Sequence, residues 1–286
     1  MGLKNSPSPG HPPRLATDPA PPTDNPSTED ESTRSGPAIV LLGPLTIEGA
    51  IGRVDSNRKS VATELLAFLA LHPGSDHHAV DATLWPTSRV NKEMRNAVIS
   101  RARSWLGTDD DGNQHLPRVQ NTPDKRYRLG QHVTCDWITF QHHARQGLND
   151  HSEDSDLALR RALALVRGRP FAGMDPQRYA WAEPVIQEMV SAITDVASEL
   201  STRRREARDP RGALWAAQQG LLAVEDSETL YRALFLAHHA VGDIDALRGA
   251  AERLRRINDS IGGGVEMEAD TAELLRNLLP RPIHAR

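Results

Sequence analysis

Cysteine is almost missing: the 286 residues hold one, Cys135, so no internal disulfide can form. A lone thiol two residues from Trp137 reads as packing rather than chemistry. No apolar run approaches the roughly 18 residues that a membrane-spanning helix needs. The N-terminus carries no apolar stretch of the secretory kind, and a cytoplasmic location is the expectation by default. An overall excess of positive charge is missing too. The formal net charge is -4 and the sequence pI about 6.3. That excludes a protein basic along its whole length, so any nucleic-acid contact has to come from a local patch of Lys and Arg. Catalytic signatures are absent as well. Gly262-Gly263-Gly264 has no preceding strand and no following Lys-Ser/Thr. There is no nucleophile elbow, and paired carboxylates fall only in loops and on solvated helix faces. The expectation is a protein that is not an enzyme and needs no cofactor.

Aromatics are sparse at 4%, but hydrophobic residues reach 38%, enough for real cores, and the length suits two domains. Residues 1–37 are rich in Pro, Ser, Thr and Asp, with Ser6-Pro7-Ser8-Pro9 and Pro19-Ala20-Pro21-Pro22 the clearest runs. Such a segment has too little apolar surface to offset its ordering entropy and reads as a disordered tail or linker. Its presence suggests an origin behind another domain. The folded part begins at Ala38. Ala38-Ile39-Val40-Leu41-Leu42 and Leu45-Thr46-Ile47-Glu48 flank Gly43-Pro44 and predict two short strands.

Three helices are expected next. Val61, Leu65, Phe68 and Leu69 recur at helical spacing until His72-Pro73-Gly74. A short helix starts near Asp76 and ends at Pro86. A third covers about Lys92 to Leu106 and stops at Gly107. After the acidic Asp109-Asp110-Asp111-Gly112 the pattern returns to strands, at His115–Val119 and Arg126–Gly130, with Gln120–Lys125 as the turn. Val133-Thr134-Cys135 is a third candidate strand. From Trp137 onward the chain reads as helices separated by Gly, Pro and Asp, with Gly168–Gly173 as the clearest loop.

Strands, three helices, then a hairpin is the order of a winged helix-turn-helix. Val98, Ala102 and Trp105 share one stripe of the third helix and are expected to face the core. Asn96, Ser100 and Arg103 share the opposite stripe. Small polar residues let a helix enter the major groove closely, and Arg and Asn pair with base edges, so these three are the expected base-facing set. Arg101 and Lys92 flank them as phosphate contacts. Arg118, Lys125, Arg126 and Arg128 make the hairpin a basic wing for the DNA backbone or minor groove, opposed only by Asp124.

In the helical half, Ala213, Ala216, Ala217 and Leu221 form a small-residue face, and Leu230, Leu234 and Ala237 supply an opposing helix. The breaks at Glu225-Asp226 and Gly242-Asp243 imply a two-helix repeat of about 34 residues. Such stacks present concave surfaces to proteins. The pairs His77-His78, His142-His143 and His238-His239 invite a metal reading. Adjacent helical residues diverge by about 100°, and no Cys or carboxylate lies at metal-ligand spacing, so no metal is expected.

Taken in order, Ile39–Leu45, Leu65–His72, Leu84-Trp85-Pro86 and Ser100–Gly107 resemble the OmpR-like winged helix of actinobacterial antibiotic regulatory proteins. Tyr127-Arg128-Leu129 fits that family's last strand. Cys135-Asp136-Trp137 followed by Phe140 fits its junction to the bacterial transcriptional activator domain, which is tetratricopeptide-like. Arg167–Gly173 and Tyr179–Glu183 look like the version at the C-terminus of larger actinobacterial proteins carrying a LysM module. The resemblance covers about residues 38–280. It implies a mainly α chain with a winged helix-turn-helix (α+β) over 38–136 and an all-α tetratricopeptide-like domain over 137–286. It also implies a transcriptional regulator that binds duplex DNA through the third helix and wing. The helical domain would supply homodimer or RNA polymerase contacts. A second reading is a protein-interaction scaffold whose winged helix no longer binds DNA.

Overall fold

The β-branched run after Pro37 forms β1 (Ala38–Val40), which turns back through Gly43-Pro44 into β2 (Thr46–Glu48). β1 pairs antiparallel with β2, Ile39 opposite Ile47, and parallel with β3 (Thr134–Cys135), giving the order β2-β1-β3. The computed structural model describes residues 36–261 and 264–279. The Pro-rich tail expected over 1–37 lies outside them except for Gly36 and Pro37, as does the Gly262-Gly263 pair.

Three helices separate β2 from β3: α1 (Ser56–Leu71), α2 (His77–Leu84) and α3 (Lys92–Leu106). Their ends follow from local chemistry. Asp76 caps α2 by accepting from Ala79 N–H at 2.9 Å, and Asn91 caps α3 by accepting from Met94 N–H at 2.8 Å. Gly107, at φ 80°, ends α3 in a conformation that disfavours any side chain. Leu65, Leu66 and Leu69 of α1 pack with Ile39, Leu41 and Leu42, Val80, Ile99, Ala102, Trp105 and Leu106 in the core.

The structure corrects two sequence expectations. The buried stripe of α3 is Ile99, Ala102, Trp105 and Leu106, whereas Val98 is only half-buried at its edge. Residues 115–130 form no ladder of paired strands. Val119–Asn121 is a 3-10 turn. Tyr127 pairs instead with Ser75, donating its N–H to the Ser75 carbonyl at 2.8 Å, while Thr108 pairs with Gln114. Pro117 and Pro123 lack the N–H groups a ladder needs. The Thr122 hydroxyl lies within reach of the Val119 and Arg126 carbonyls, which folds the segment on itself. The wing is a compact irregular loop.

The rest of the described chain is helical: α4 (Asp136–Leu148), α5 (Glu153–Ala164), α6 (Glu183–Glu206), α7 (Pro210–Leu221), α8 (Glu228–Val241), α9 (Ile244–Ser260) and α10 (Ala269–Leu278). The small residues do what small residues permit. A Cβ on Gly220 would lie 2.6 Å from the Ala197 methyl, so α7 approaches α6 at a distance only glycine allows. Asp209 caps α7 and Asp243 caps α9 with matching 2.9 Å bonds, at the spacing of about 34 residues expected for the repeat. Ala217 and Ala251, offset by the same amount, meet Tyr231, Phe235, Leu247, Leu254 and Leu275 in a second core.

The described residues belong to one compact unit, and the boundary expected at 136/137 lies inside it. The Asp136 carboxylate accepts from Leu41 N–H at 2.8 Å and Leu42 N–H at 3.0 Å. Residues 167–172 run beside 41–44: Arg167 N–H donates to Leu42, Phe171 N–H to Leu41 and Ala172 N–H to Gly43, at 2.7–3.0 Å. The segment read as a loop is therefore backbone partner to the N-terminal strand region. On the other side, Arg178 Nε donates to Glu64 of α1 at 2.6 Å, and Trp181 Nε1 donates to the same carboxylate at 3.3 Å. Trp181 also meets Phe68 edge to face. Together these contacts fasten α1 and β1 to the helical half.

Candidate nucleic-acid interface

Any reading surface on this fold has to come from the side of α3 that the core leaves free. Asn96 and Ser100 stand exposed on it, with Ala97 and Ser104 alongside. The helix is held in place by two arginines. Arg95, only 11% exposed, pairs with Asp81 of α2 and fixes the angle between the two helices. Arg103 donates from Nε to the Leu116 carbonyl at 2.7 Å and reaches the Pro117 carbonyl at 3.5 Å. Burial, then the nearby Arg118 charge, pull the Arg103 pKa below its ordinary value. Arg103 was expected beside Asn96 and Ser100 at the bases. In the structure its guanidinium is turned into the wing, half-buried and occupied by backbone oxygens, so it does not share their open face.

The expected phosphate contacts divide into two groups. Lys92, Arg118 and Lys125 are exposed. Lys125 sits at the turn with φ 54°, a sparsely populated conformation for a residue with a Cβ. Arg126 is exposed but bonds the Gly74 carbonyl at 3.1 Å, and Arg128 is paired with Asp124. Arg101 lies on the opposite flank of α3 from Arg103. There it joins residues that sequence reasoning missed. Arg53, Val54, Asp55, Arg58, Ser100, Arg101 and Ser104 line one open cavity of about 170 Å³. Beside it, Lys59 Nζ lies 5.5 Å from the centre of the Trp105 ring. Arg53, Arg58 and Lys59 escape a motif-based reading because they precede or open α1, outside the helix-turn-helix. The signal available was the cationic composition of that stretch: Arg53, Arg58 and Lys59 face only Asp55 within seven residues.

Among the described residues, no group of three or more His, Cys, Asp or Glu side chains could hold a metal ion. Likewise, no described helix is long and apolar enough to cross a membrane. Burial pushes the Cys135 thiol up to about 12, so it is protonated at neutral pH.

No protein-family model matches the chain, and no curated protein matches it. Among solved structures, the fold is similar to that of Mycobacterium tuberculosis EmbR in complex with a low affinity phosphopeptide. The TM-score is 0.56 and the identity 19%, over 86% of this chain and 65% of that one. The chain thus spans just under two thirds of the structure it matches. The likeness is one of fold: a small three-stranded winged-helix unit followed by a helical array.

Proposed function

We propose that the chain is a transcriptional regulator that binds duplex DNA with α3 in the major groove. The observation that carries this reading is the free polar face of α3, with Asn96 and Ser100 outward and the helix braced from both sides by Arg95–Asp81 and Arg103–Leu116. Asn pairs with adenine edges, and Ser serves as a small donor or acceptor. Lys92, Arg118, Lys125 and Arg126 take backbone phosphates on the wing side, and Arg101 takes one on the other flank. Arg103 acts through the wing: it holds residues 116–117 against α3 and so sets where Arg118 and Lys125 stand. Arg128 neutralises Asp124 at the wing and thereby removes the loop's one opposing charge.

The helical half serves protein contacts, either a second copy or RNA polymerase. Supporting this is the groove of about 380 Å³ between α7, α8 and α9, where the half-exposed Leu222 stands with Leu221, Leu234 and Arg253. The same groove supports the scaffold reading, in which DNA plays no part.

Salt separates the two. The 286-residue chain is titrated into a fluorescent random-sequence duplex at about 50 and 200 mM salt, with anisotropy as the readout. About five phosphate contacts predict a loss of two to three orders of magnitude over that range. Absence of binding at the lower salt sinks the regulator reading and leaves the scaffold.

A further inference from the structure

We propose that the cavity between the start of α1 and the outer flank of α3, lined by Arg53, Arg58 and Arg101 together with Ser100 and Ser104, is a docking point for a phosphate of the DNA backbone. The inference rests on the DNA-binding reading above and deepens it by adding a second backbone anchor from outside the helix-turn-helix. Three guanidinium groups line one cavity against a single carboxylate, Asp55, whose nearest approach to Arg58 is a loose 3.9 Å. Arg53 and Arg58 are exposed, and no ion pair closer than that one ties up either among the described residues. Arginine's planar fork suits phosphate oxygens, and serine hydroxyls supply neutral donors at the same place. The volume, about 170 Å³, is several times the roughly 30 Å³ of one water.

Position makes the ligand a duplex backbone. Ser100 belongs both to the cavity lining and to the outward face of α3. A helix in the major groove has one phosphate row on each side, across a groove about 12 Å wide. The wing cation Arg118, next to the Leu116 and Pro117 carbonyls that Arg103 bonds, lies on the Arg103 flank of α3, and the cavity lies on the other. The outward face of the helix therefore runs between two cationic rims, which is the distribution a groove-inserted helix requires and a lone charged surface helix does not. Arg101, expected from sequence as an isolated flanking contact, becomes one of three in this cluster. Asp55 is the discordant member, and it makes the proposal sharper: its removal has to help.

The test uses the full chain and the same labelled duplex, across about 50 to 200 mM salt. Arg53→Ala with Arg58→Ala is expected to lower the slope of log affinity against log salt by about two, close to one for each arginine withdrawn from the phosphate. Asp55→Asn is expected to tighten binding several-fold at low salt. Lys125→Ala, on the wing, serves as the reference, and circular dichroism checks that each exposed substitution leaves the fold intact. If Lys125→Ala weakens binding while the double variant leaves affinity and slope unchanged, the cavity proposal falls and the DNA-binding reading stands. If the unaltered chain does not bind duplex at all, both fall. Unchanged duplex affinity with abolished affinity for a phosphoserine peptide would assign the cavity to a phosphoprotein, and that too overturns the proposal.

Discussion

Replacing Arg178 by alanine tests how the two halves are fastened. Glu64 lies in α1 with its side chain 1% exposed, and Arg178, 33% exposed, reaches it from the segment before α6. Removing one partner of a fully buried pair costs about 3–5 kcal/mol, because the remaining charge is left without compensation. Two features reduce that here: Arg178 is one-third in solvent, and the Trp181 indole N–H stays on the carboxylate. We expect a loss of about 2–3 kcal/mol at pH 7, or roughly 5–10 °C in Tm for a chain of this size. The pH dependence identifies the cause. Burial already raises the Glu64 pKa above the ordinary 4.5, against the lowering effect of Arg178. Between the unfolded and folded values the native chain binds more protons than the unfolded one. The stability associated with this group is therefore complete below the ordinary value and declines as pH climbs through the folded one. Without Arg178 the folded value rises further, so the deficit grows with pH by up to about 1.4 kcal/mol per unit in that window. Thermal melts followed by circular dichroism should show a smaller loss at pH 5 than at pH 7. Glu64→Gln in the Arg178→Ala background should recover part of the loss at pH 7. A loss that is the same at both pH values, or below about 0.5 kcal/mol, would refute the account of a charge trapped at this junction.

Two further substitutions probe other parts of the frame. Asp136→Ala removes the acceptor for the Leu41 and Leu42 N–H groups and should cost about 2–4 kcal/mol in chemical denaturation, since buried unmet donors cost about 1–3 kcal/mol each. Arg103→Ala should leave global stability within about 1–2 kcal/mol but speed amide hydrogen exchange over 115–130. Unchanged protection there would show that the Leu116 and Pro117 contacts do not hold the wing.

The helices were legible because their stop signals are local. Asn91 and Gly107 bracket α3, and its observed limits, Lys92–Leu106, are those read from the pattern. The strands at 38–40 and 46–48 followed from β-branched runs. The wing was not legible, because alternation over His115–Val119 and Arg126–Gly130 says nothing of which backbone a strand will meet. Tyr127 finds Ser75, some fifty positions earlier. Arg103 failed for a related reason: its partners are carbonyls, which leave no trace in side-chain pattern. Arg53 and Arg58 lie in a stretch without periodicity, and only folding brings them to Arg101. Asn96 and Ser100 needed no distant partner, and the exposed face they were read into is where they stand.

The pairing of residues 41–44 with 167–172 bears on how this chain can be rearranged. A winged helix on a free tether is a portable cassette: it can be cut out, duplicated or joined to a foreign effector. Here the cut ends would leave the Leu41, Leu42 and Gly43 carbonyls without the N–H partners that residues 167–172 supply. Aromatic surface around Phe68 and Trp181 would be bared as well. Exchange of the N-terminal half alone is thus penalised at the level of folding.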